Sequence, residues 1–286
     1  MGTLYLVGTP IGNLEDMTLR ALRILEEVRL IAAEDTRRTR KLLEHFQIKT
    51  PLTSYFEGNE LTKLEYLLKE LGEGDVALVS EAGMPVVSDP GHRLVRAALA
   101  KGIPVVPIPG PSAITCALAV SGLPTDSFLY LGFLPRRKGE RRKLLHSLVG
   151  EKATLVAFEA PHRLGSCLQD IGEVLGDRQI VLARELTKLH EEVLRGNVSE
   201  MEAHLRENPP RGEFTLVIEG CREIREREWG EERIREALAK LLAEGIGRKG
   251  AAKILAGLFG LPQREIYEIS LALSQMETEE RSEGND

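Results

Sequence analysis

The chain has little that would indicate a disulfide-bonded or metal-binding protein. Its three cysteines lie far apart, and none forms a CxxC pair, which argues against a disulfide framework and a zinc site. We expect Cys116, Cys167 and Cys221 to be small buried apolar residues. No HExxH motif and no paired His and Cys ligands occur, so we expect no catalytic metal.

Long uninterrupted hydrophobic runs are also missing. The most apolar stretch, residues 103–120, contains four prolines, which exclude a continuous membrane-spanning helix. The first residues lead directly into a strand-like run rather than a signal peptide. Apolar residues make up 42% and charged residues 29% of the chain, which is typical of a soluble globular protein. We therefore expect a cytoplasmic location and no membrane partner.

The first part of the chain alternates short apolar runs with amphipathic segments, which predicts an α/β domain with a largely parallel sheet. The predicted strands span residues 3–7, 30–33, 76–80 and 104–108. The predicted helices span residues 18–28, 36–46 and 59–71, and the last is expected to end at Gly72. A turn-rich connection at residues 121–126 marks a boundary, so residues 1–120 form the first predicted domain.

The remainder predicts a second α/β domain and a helical module. Strands are expected at residues 128–133, 153–158, 180–183, 192–195 and 214–218, in a mixed domain of residues 121–222. Helices at residues 232–243 and 249–259, and a third starting near Pro262, predict a module of residues 223–276. Arg248, Lys249 and Lys253 make this module a candidate RNA contact. The acidic tail, residues 277–286, is expected to be disordered.

Three loops rich in small residues follow predicted strands of the first domain. They span residues 8–14, 80–85 and 109–113. Ligands of α/β sheets bind beyond the carboxyl ends of strands, and small residues there allow close backbone approach. Each loop alone could be a simple turn, but three together favour a shared cleft. Neither a GxGxxG fingerprint nor a P-loop is present, so we expect a ligand that is not held by its phosphates.

Six motifs make the sequence resemble the tetrapyrrole methylase superfamily, and within it the methyltransferases of small-subunit ribosomal RNA. They are LYLVGTPIGNL at residues 4–14, EDTR at 34–37, SDPG at 88–91, GFLP at 132–135, EAPHR at 159–163 and ARELTK at 183–188. The resemblance covers nearly the whole chain. Glu81 stands where the family often has Asp, which keeps the charge.

The resemblance implies a fold, a cofactor and a substrate. It implies two α/β domains with a cleft for S-adenosylmethionine between them, and a chain that works as a homodimer. It also implies methylation of the 2′-oxygen of a cytidine in the decoding centre of 16S ribosomal RNA, presented as RNA or as the 30S subunit. The cofactor residues it implies are Pro10, Ala82, Gly83, Met84, Val87, Ser112, Ala113, Phe158, Leu186 and Thr215.

Two charged clusters at strand ends are candidates for the chemistry at the ribose. Methyl transfer needs alignment of the reacting groups, and a base or a positive charge near the hydroxyl helps. The alternatives for these clusters are a helix N-cap at Asp35 and a structural ion pair of Arg184 with Glu185. The candidate catalytic residues are Glu34, Asp35, Arg37, Arg184, Glu185 and Lys188.

The segment 136–143 carries six positive charges and one negative charge, which favours contact with a phosphate backbone. Flexible Gly139 and the lack of neighbouring acids support this interpretation over a solvated helix face. A second basic cluster at residues 37–41 is more typical of a solvated face. The candidate substrate-binding residues are Arg136, Arg137, Lys138, Arg141, Arg142, His162 and Arg163.

Two other functions are open at this point. One is a methylase of the same superfamily that acts on a tetrapyrrole or a protein side chain; the basic segment and the EDTR motif argue against it. The other is a non-catalytic RNA-binding factor for ribosome assembly, against which the preserved cofactor loops argue.

Overall fold

The structure is a computed structural model, and it describes residues 2–221, 231–259, 263–264 and 266–271. The chain divides into two compact units, Met1–Cys221 and Arg222–Asp286. Pro262, near which a third helix is predicted to start, lies outside the described residues. The predicted acidic tail at residues 277–286 also lies outside them. The domain boundaries expected from sequence stay predictions.

The first sheet of unit Met1–Cys221 is fully parallel, as predicted, with strand order β3-β2-β4-β1-β5. The strands Leu30–Ala33 and Val76–Val79 in the interior of this sheet are buried on both faces, because helices cover both sides of a parallel sheet. The strands are β1 Leu4–Val7, β2 Leu30–Ala33, β3 Leu52–Ser54, β4 Val76–Val79 and β5 Val105–Ile108. The helices are α1 Leu19–Glu27, α2 Thr36–His45, α3 Glu60–Glu73, α4 His92–Ala100 and α5 Ala113–Ser121.

Sequence reasoning missed parts of this sheet and misplaced one helix end. Strand β3 has three residues and helices α4 and α5 have nine each, and none of the three was predicted. Helix α3 does not end at Gly72. It runs to Glu73, and the Gly74 amide donates to the Glu70 carbonyl at 2.9 Å.

The second sheet is mixed, as predicted, with strand order β6-β7-β10-β8-β9. Strands β6 and β7 are parallel, and the other pairs are antiparallel. The strands are β6 Phe128–Phe133, β7 Thr154–Glu159, β8 Gln179–Arg184, β9 Glu192–Asn197 and β10 Phe214–Ile218. The helices are α6 Lys138–Ser147, α7 Pro161–Leu175 and α8 Val198–Glu207.

The ends of several strands of the second sheet meet at one edge. Phe214, the first residue of β10, pairs with Glu159 at the end of β7 and with Arg184 at the end of β8. Phe133 at the end of β6 pairs with Phe158 of β7 across a register shift. This edge therefore collects residues that are far apart in the sequence.

The described part of the second unit contains two predicted helices, α9 Glu231–Ala243 and α10 Arg248–Phe259. They bury a small apolar core that includes Leu238 and Ala251. The basic residues Arg248, Lys249 and Lys253 are exposed on α10. No helix among the described residues has the length and hydrophobicity needed to cross a bilayer.

Candidate cofactor and active site

The three loops predicted to share a cleft lie side by side. Strands β4, β1 and β5 are neighbours, so the loops that follow them leave the same edge of the sheet. The Thr9 amide donates to the Gly83 carbonyl at 2.9 Å, and the Gly83 amide donates to the Thr9 carbonyl at 3.0 Å. A Cβ atom on Gly8 would lie 2.8 Å from the Gly110 Cα atom, so this backbone contact requires glycine. The predicted convergence of the loops is confirmed.

A cavity of about 730 Å³ opens where these loops face the edge of the second sheet. This volume is in the usual range for small-molecule sites. Eight of the ten residues implied for the cofactor line it, and their contact with a cofactor stays a prediction. These eight are Ala82, Met84, Val87, Ser112, Ala113, Phe158, Leu186 and Thr215.

The other two residues implied for the cofactor, Pro10 and Gly83, are not among those that line the cavity. Gly83 has a φ angle of +83°, a conformation that favours glycine, and it forms the backbone bridge to Thr9. Its position supports the loop that carries Ala82 and Met84 rather than forming the cavity wall. Contact of Pro10 and Gly83 with the cofactor stays a prediction.

The charges of the cavity wall are strongly unbalanced. Among the described lining residues, Lys188 is the only Lys or Arg side chain. The lining carboxylates are Glu34, Glu81, Asp89, Glu159, Glu185 and Glu213. A cavity of this charge suits a cationic ligand and disfavours phosphates, in agreement with the missing phosphate-binding motifs.

Four of the six carboxylates take part in ion pairs, which are made by three cations. Lys188 Nζ lies 2.9 Å from a Glu185 oxygen and 3.0 Å from a Glu213 oxygen. Glu159 pairs with Arg163 at 2.9 Å, and Glu81 pairs with Arg38. Glu34 and Asp89 form no ion pair with any residue in the described part of the chain. They are the carboxylates best placed to meet a positive charge on a ligand.

Asp89 belongs to the SDPG motif, but sequence reasoning did not select it as a site residue. Burial, followed by the negative charges of Glu34 and Glu81, raises the pKa of Asp89 to about 6. Such a shift indicates a carboxylate whose charge is not compensated by the protein itself. The signal available in the sequence was a carboxylate in a loop of small residues after a strand.

Two of the loops that line the cavity contain non-glycine residues with left-handed backbone conformations. Val86 and Ser88 have φ angles of +76° and +66°, and Glu185 and Thr187 have φ angles of +50° and +65°. Non-glycine residues adopt positive φ only rarely. The Ser88 Oγ and Tyr130 Oη atoms lie 2.7 Å apart and join the first of these loops to strand β6.

The first charged cluster divides between the cavity and helix α2. Glu34 lines the cavity, whereas Asp35 and Arg37 are not among the lining residues. Asp35 is the N-cap of α2 and accepts hydrogen bonds from the amides of Arg37 at 2.7 Å and Arg38 at 3.2 Å. The hydrogen bond from the Arg38 amide, followed by that from the Arg37 amide, lowers the pKa of Asp35. The N-cap alternative is the one observed, and a carboxylate held in this way is a poor general base.

The second charged cluster also divides. Arg184 is absent from the cavity lining; its Nε donates to the Arg211 carbonyl at 2.8 Å and its Nη1 pairs with Glu192 at 3.1 Å. Its ion-pair role is structural, but its partner is Glu192, not Glu185. Burial opposes the charge of Glu185, yet hydrogen bonds from Lys188 and the Glu213 amide, and the charge of Lys188, lower its pKa.

Lys188 keeps its positive charge in this setting. Burial acts against the charge, but hydrogen bonds to Glu185 and Glu213 raise the pKa of Lys188 above its ordinary value. A Cβ atom on Gly12 would lie 2.3 Å from the Lys188 Cγ atom. Glycine at this position in the first loop therefore makes room for the lysine side chain.

The basic segment is not free of compensating acids, which corrects the expectation from sequence. Asp170 and Glu173 on helix α7 face it. Arg141 is buried, and its Nη2 and Nε atoms lie 2.5 and 2.8 Å from Asp170. Arg142 pairs with Glu173. Arg141 therefore has a structural role in place of the predicted RNA contact, because a buried guanidinium cannot reach a phosphate without unfolding its surroundings.

The remaining predicted substrate residues are at the surface or in the protein framework. Arg136, Arg137 and Lys138 are exposed, and Lys138 begins α6, so that Gly139 lies in a helix rather than in a flexible loop. His162 is exposed on the first turn of α7. Arg163 pairs with Glu159 and donates to the Leu134 carbonyl. None of these residues is among those that line the cavity.

Cys167 is buried, whereas Cys116 and Cys221 are only half-buried, so the expectation of burial holds fully for one cysteine. Within the described ranges, no group of three or more His, Cys, Asp or Glu side chains is arranged to hold a metal ion.

Comparison with known proteins assigns the family. Residues 3–202 match the model of the Tetrapyrrole (Corrin/Porphyrin) Methylases. The chain belongs to the tetrapyrrole methylase family. It is 50% identical to "Ribosomal RNA small subunit methyltransferase I" of Halalkalibacterium halodurans over 94% of each chain. It is 54% identical to the Thermotoga maritima protein of the same name, over 77% of this chain and 99% of the relative.

A solved structure shows the same fold. Uroporphyrin-III-C-methyltransferase from Thermus thermophilus has a TM-score of 0.54 and 25% identity, covering 76% of this chain and 94% of that one. The predicted fold class is confirmed: it is an α/β fold of the tetrapyrrole methylase type with one parallel and one mixed sheet, followed by helices.

The chain is an S-adenosylmethionine-dependent methyltransferase, as its family and relatives are. The charges and the apolar side chains of the cavity wall both suit this cofactor. S-adenosylmethionine carries positive charges on its sulfonium and ammonium groups, and Glu34 and Asp89 offer carboxylates that form no ion pair with any described residue. Apolar side chains such as Ile11, Met84 and Leu186 supply surface for its uncharged parts.

Proposed function

We propose that this chain methylates the 2′-oxygen of a cytidine of 16S ribosomal RNA in the decoding centre of the small subunit. The observation that carries the proposal is the similarity to proteins named for ribosomal RNA small subunit methylation, which extends over 94% of both chains for the H. halodurans protein. The substrate is the RNA itself or the 30S particle. We also propose that the chain acts in the cytoplasm as a homodimer.

Residues of the cavity can assist the reaction at the ribose. When bound, S-adenosylmethionine supplies a methyl group that is already activated by the sulfonium charge. The chain must hold the ribose hydroxyl in line with that methyl group and keep water out. We assign to Lys188 the stabilisation of the negative charge that develops on the ribose oxygen, because it is the only lining cation among the described residues.

Glu185 and Glu213 position this lysine. Both carboxylates hold Lys188 Nζ within 3.0 Å, and they raise its pKa so that the ammonium keeps its charge. Glu185 therefore acts through Lys188 rather than as the base. Glu34 stays a candidate for direct contact, because it lines the cavity without an ion-pair partner among the described residues.

RNA is held by exposed cations outside the acidic cavity. Arg136, Arg137 and Lys138 are exposed at the start of α6, only a few residues after Phe133 of the cavity wall. Replacing Arg136 and Arg137 by Ala should weaken RNA binding and reduce the slope of log affinity against log salt by roughly one for each lost phosphate contact. Arg37 and His162 are additional candidates, as are the exposed basic residues of α10.

The sequence-based domain division is kept as part of the proposal. Residues 1–120 carry the cofactor loops, residues 121–222 complete the cleft, and residues 223–276 form the helical module. In this division the module is an RNA-contacting accessory.

The experiment is mass mapping of 16S ribosomal RNA from cells that lack this protein. We expect one cytidine to lose a ribose methyl group, and purified protein with S-adenosylmethionine to restore it on 30S particles from those cells. A porphyrinogen offered beside the particles should not be methylated. An unchanged methylation map, or transfer to the porphyrinogen instead, would refute the proposal.

A further inference from the structure

An aromatic side chain at the cavity has no assigned role. Phe133 lines the cavity, yet 63% of its surface is exposed. Phe158, which the family resemblance implies for the cofactor site, is only partly exposed. A large apolar ring at the opening of a cavity is costly to leave in water, which points to a ligand that covers it.

Other aromatic residues pack against the Phe133 ring. Phe133 and Phe158 have ring centroids 5.5 Å apart at an interplanar angle of 60°. Phe158 contacts Tyr130 in the same way, at 5.4 Å and 69°. The Tyr130 hydroxyl is in turn hydrogen-bonded to Ser88. Such edge-to-face contacts fix the position of the ring and leave its exposed face free.

The backbone also directs this side chain. The register between β6 and β7 shifts between Tyr130 and Phe133, and Gly132 between them has a φ angle of +66°. A bulge of this kind changes the direction in which the next side chain points. Val87, 49% exposed, lines the cavity on the loop that Ser88 joins to β6, so the opening has an apolar rim.

Charge determines which part of a nucleotide can reach this rim. The acidic cavity repels phosphates, whereas the exposed Arg136 and Arg137 follow closely on the outside. A nucleotide can therefore present its uncharged base and ribose to the cavity while its phosphates stay at the basic segment. Unpaired bases of RNA are commonly held by stacking on aromatic side chains.

We infer that Phe133 is the platform on which the base of the target nucleotide stacks when that nucleotide is turned out of the RNA. The inference rests on the proposed function and adds the residue that receives the substrate base. Stacking on Phe133 holds the attached ribose at the cavity opening, where its hydroxyl can approach Lys188.

The test compares single variants on 30S particles from cells that lack the protein. For Phe133→Ala we expect kcat/KM for the particles, and particle binding by filter retention, to fall about fivefold or more, the usual effect of losing one base stack. Phe133→Tyr, which keeps the ring, should remain close to wild type. Phe133→Leu keeps apolar bulk without the ring and should behave like the alanine variant.

Phe128→Ala is the matched control. Phe128 lies on the same strand and is 45% exposed, but it is absent from the cavity lining. It should leave particle binding unchanged. Cofactor affinity by calorimetry and molecular mass by light scattering should be the same for all variants.

Four results would overturn the inference. Full activity of Phe133→Leu would show that bulk alone matters, and a parallel loss of cofactor affinity would place the ring in the cofactor wall. A change of molecular mass confined to Phe133→Ala would make the ring part of a contact between copies. Full activity of Phe133→Ala beside an active wild type would refute the inference alone. If the wild-type protein does not methylate the particles, the proposed function itself fails.

Discussion

Replacing Asp89 by Asn removes one negative charge from the cavity wall while keeping the size of the side chain. Asp89 has no ion-pair partner among the described residues, so the charge is available to a cationic cofactor. A hydrogen bond to a charged group contributes about 1.5–3 kcal/mol. Because Asp89 is only half-buried, we use the lower end of that range, which corresponds to a rise in the Kd for S-adenosylmethionine of about tenfold.

In the wild-type protein, lowering the pH should remove the same negative charge and so weaken cofactor binding. The pKa of Asp89 is raised to about 6, so its carboxylate gains a proton as the pH falls through that value. The ionised fraction drops from about 0.9 near pH 7 to about 0.1 near pH 5, and affinity should fall about fivefold over this range if the protonated form binds about tenfold more weakly. The cofactor ammonium stays protonated throughout, so the change belongs to the protein.

Calorimetry of cofactor binding at several pH values on the wild type and on Asp89→Asn tests this reasoning. The variant should bind weakly at all pH values, with a flat profile. Asp35→Asn is the matched control, because it makes the same change at the neighbouring N-cap outside the cavity lining. Asn keeps an oxygen that can cap the helix, so this variant should leave both stability and cofactor affinity nearly unchanged. Wild-type affinity in Asp89→Asn, or a pH dependence that persists in it, would refute the assignment.

Three further outcomes are expected. Gly8→Ala places a Cβ atom 2.8 Å from the Gly110 backbone and should lower both melting temperature and cofactor affinity, whereas an unchanged melting temperature would show that the loops can separate. Arg141→Ala leaves Asp170 buried without its main partner and should lower the free energy of unfolding, measured with denaturant, by about 3–5 kcal/mol. Normal stability with weaker RNA binding would instead show that Arg141 contacts RNA. Lys188→Met should lower the single-turnover methylation rate about 10²-fold with cofactor bound. A wild-type rate would show that the charge of Lys188 does not assist the reaction.

The sequence predicted the features that depend on local pattern. Strand β2 was placed with its observed bounds, and the strands and loops that form the first wall of the cavity were all expected. Helix α5 was missed because its apolar residues show no helical periodicity, which leaves short buried segments ambiguous. Strand β3 has three residues, too few for an alternating pattern to be recognised.

The charged groups were harder to predict because their partners come from distant parts of the chain. Arg141 looked free in the sequence, but Asp170 lies 29 positions away. Asp35 and Glu34 are adjacent in sequence, yet one caps a helix and the other lines the cavity. Spacing along the chain cannot separate these outcomes, since they depend on where the next strand and helix lie.

The left-handed residues of the cavity loops have a consequence for the stability of the protein. Val86, Ser88, Glu185 and Thr187 each adopt a conformation that costs of order 1–3 kcal/mol for a non-glycine residue. The rest of the fold must offset this strain, so part of its stability is used to hold the two loops in shape. Variants selected only for thermal stability should accumulate glycine or asparagine at these positions. Such variants would melt at higher temperature while their loops bind the cofactor less tightly, so heat resistance and activity would change in opposite directions.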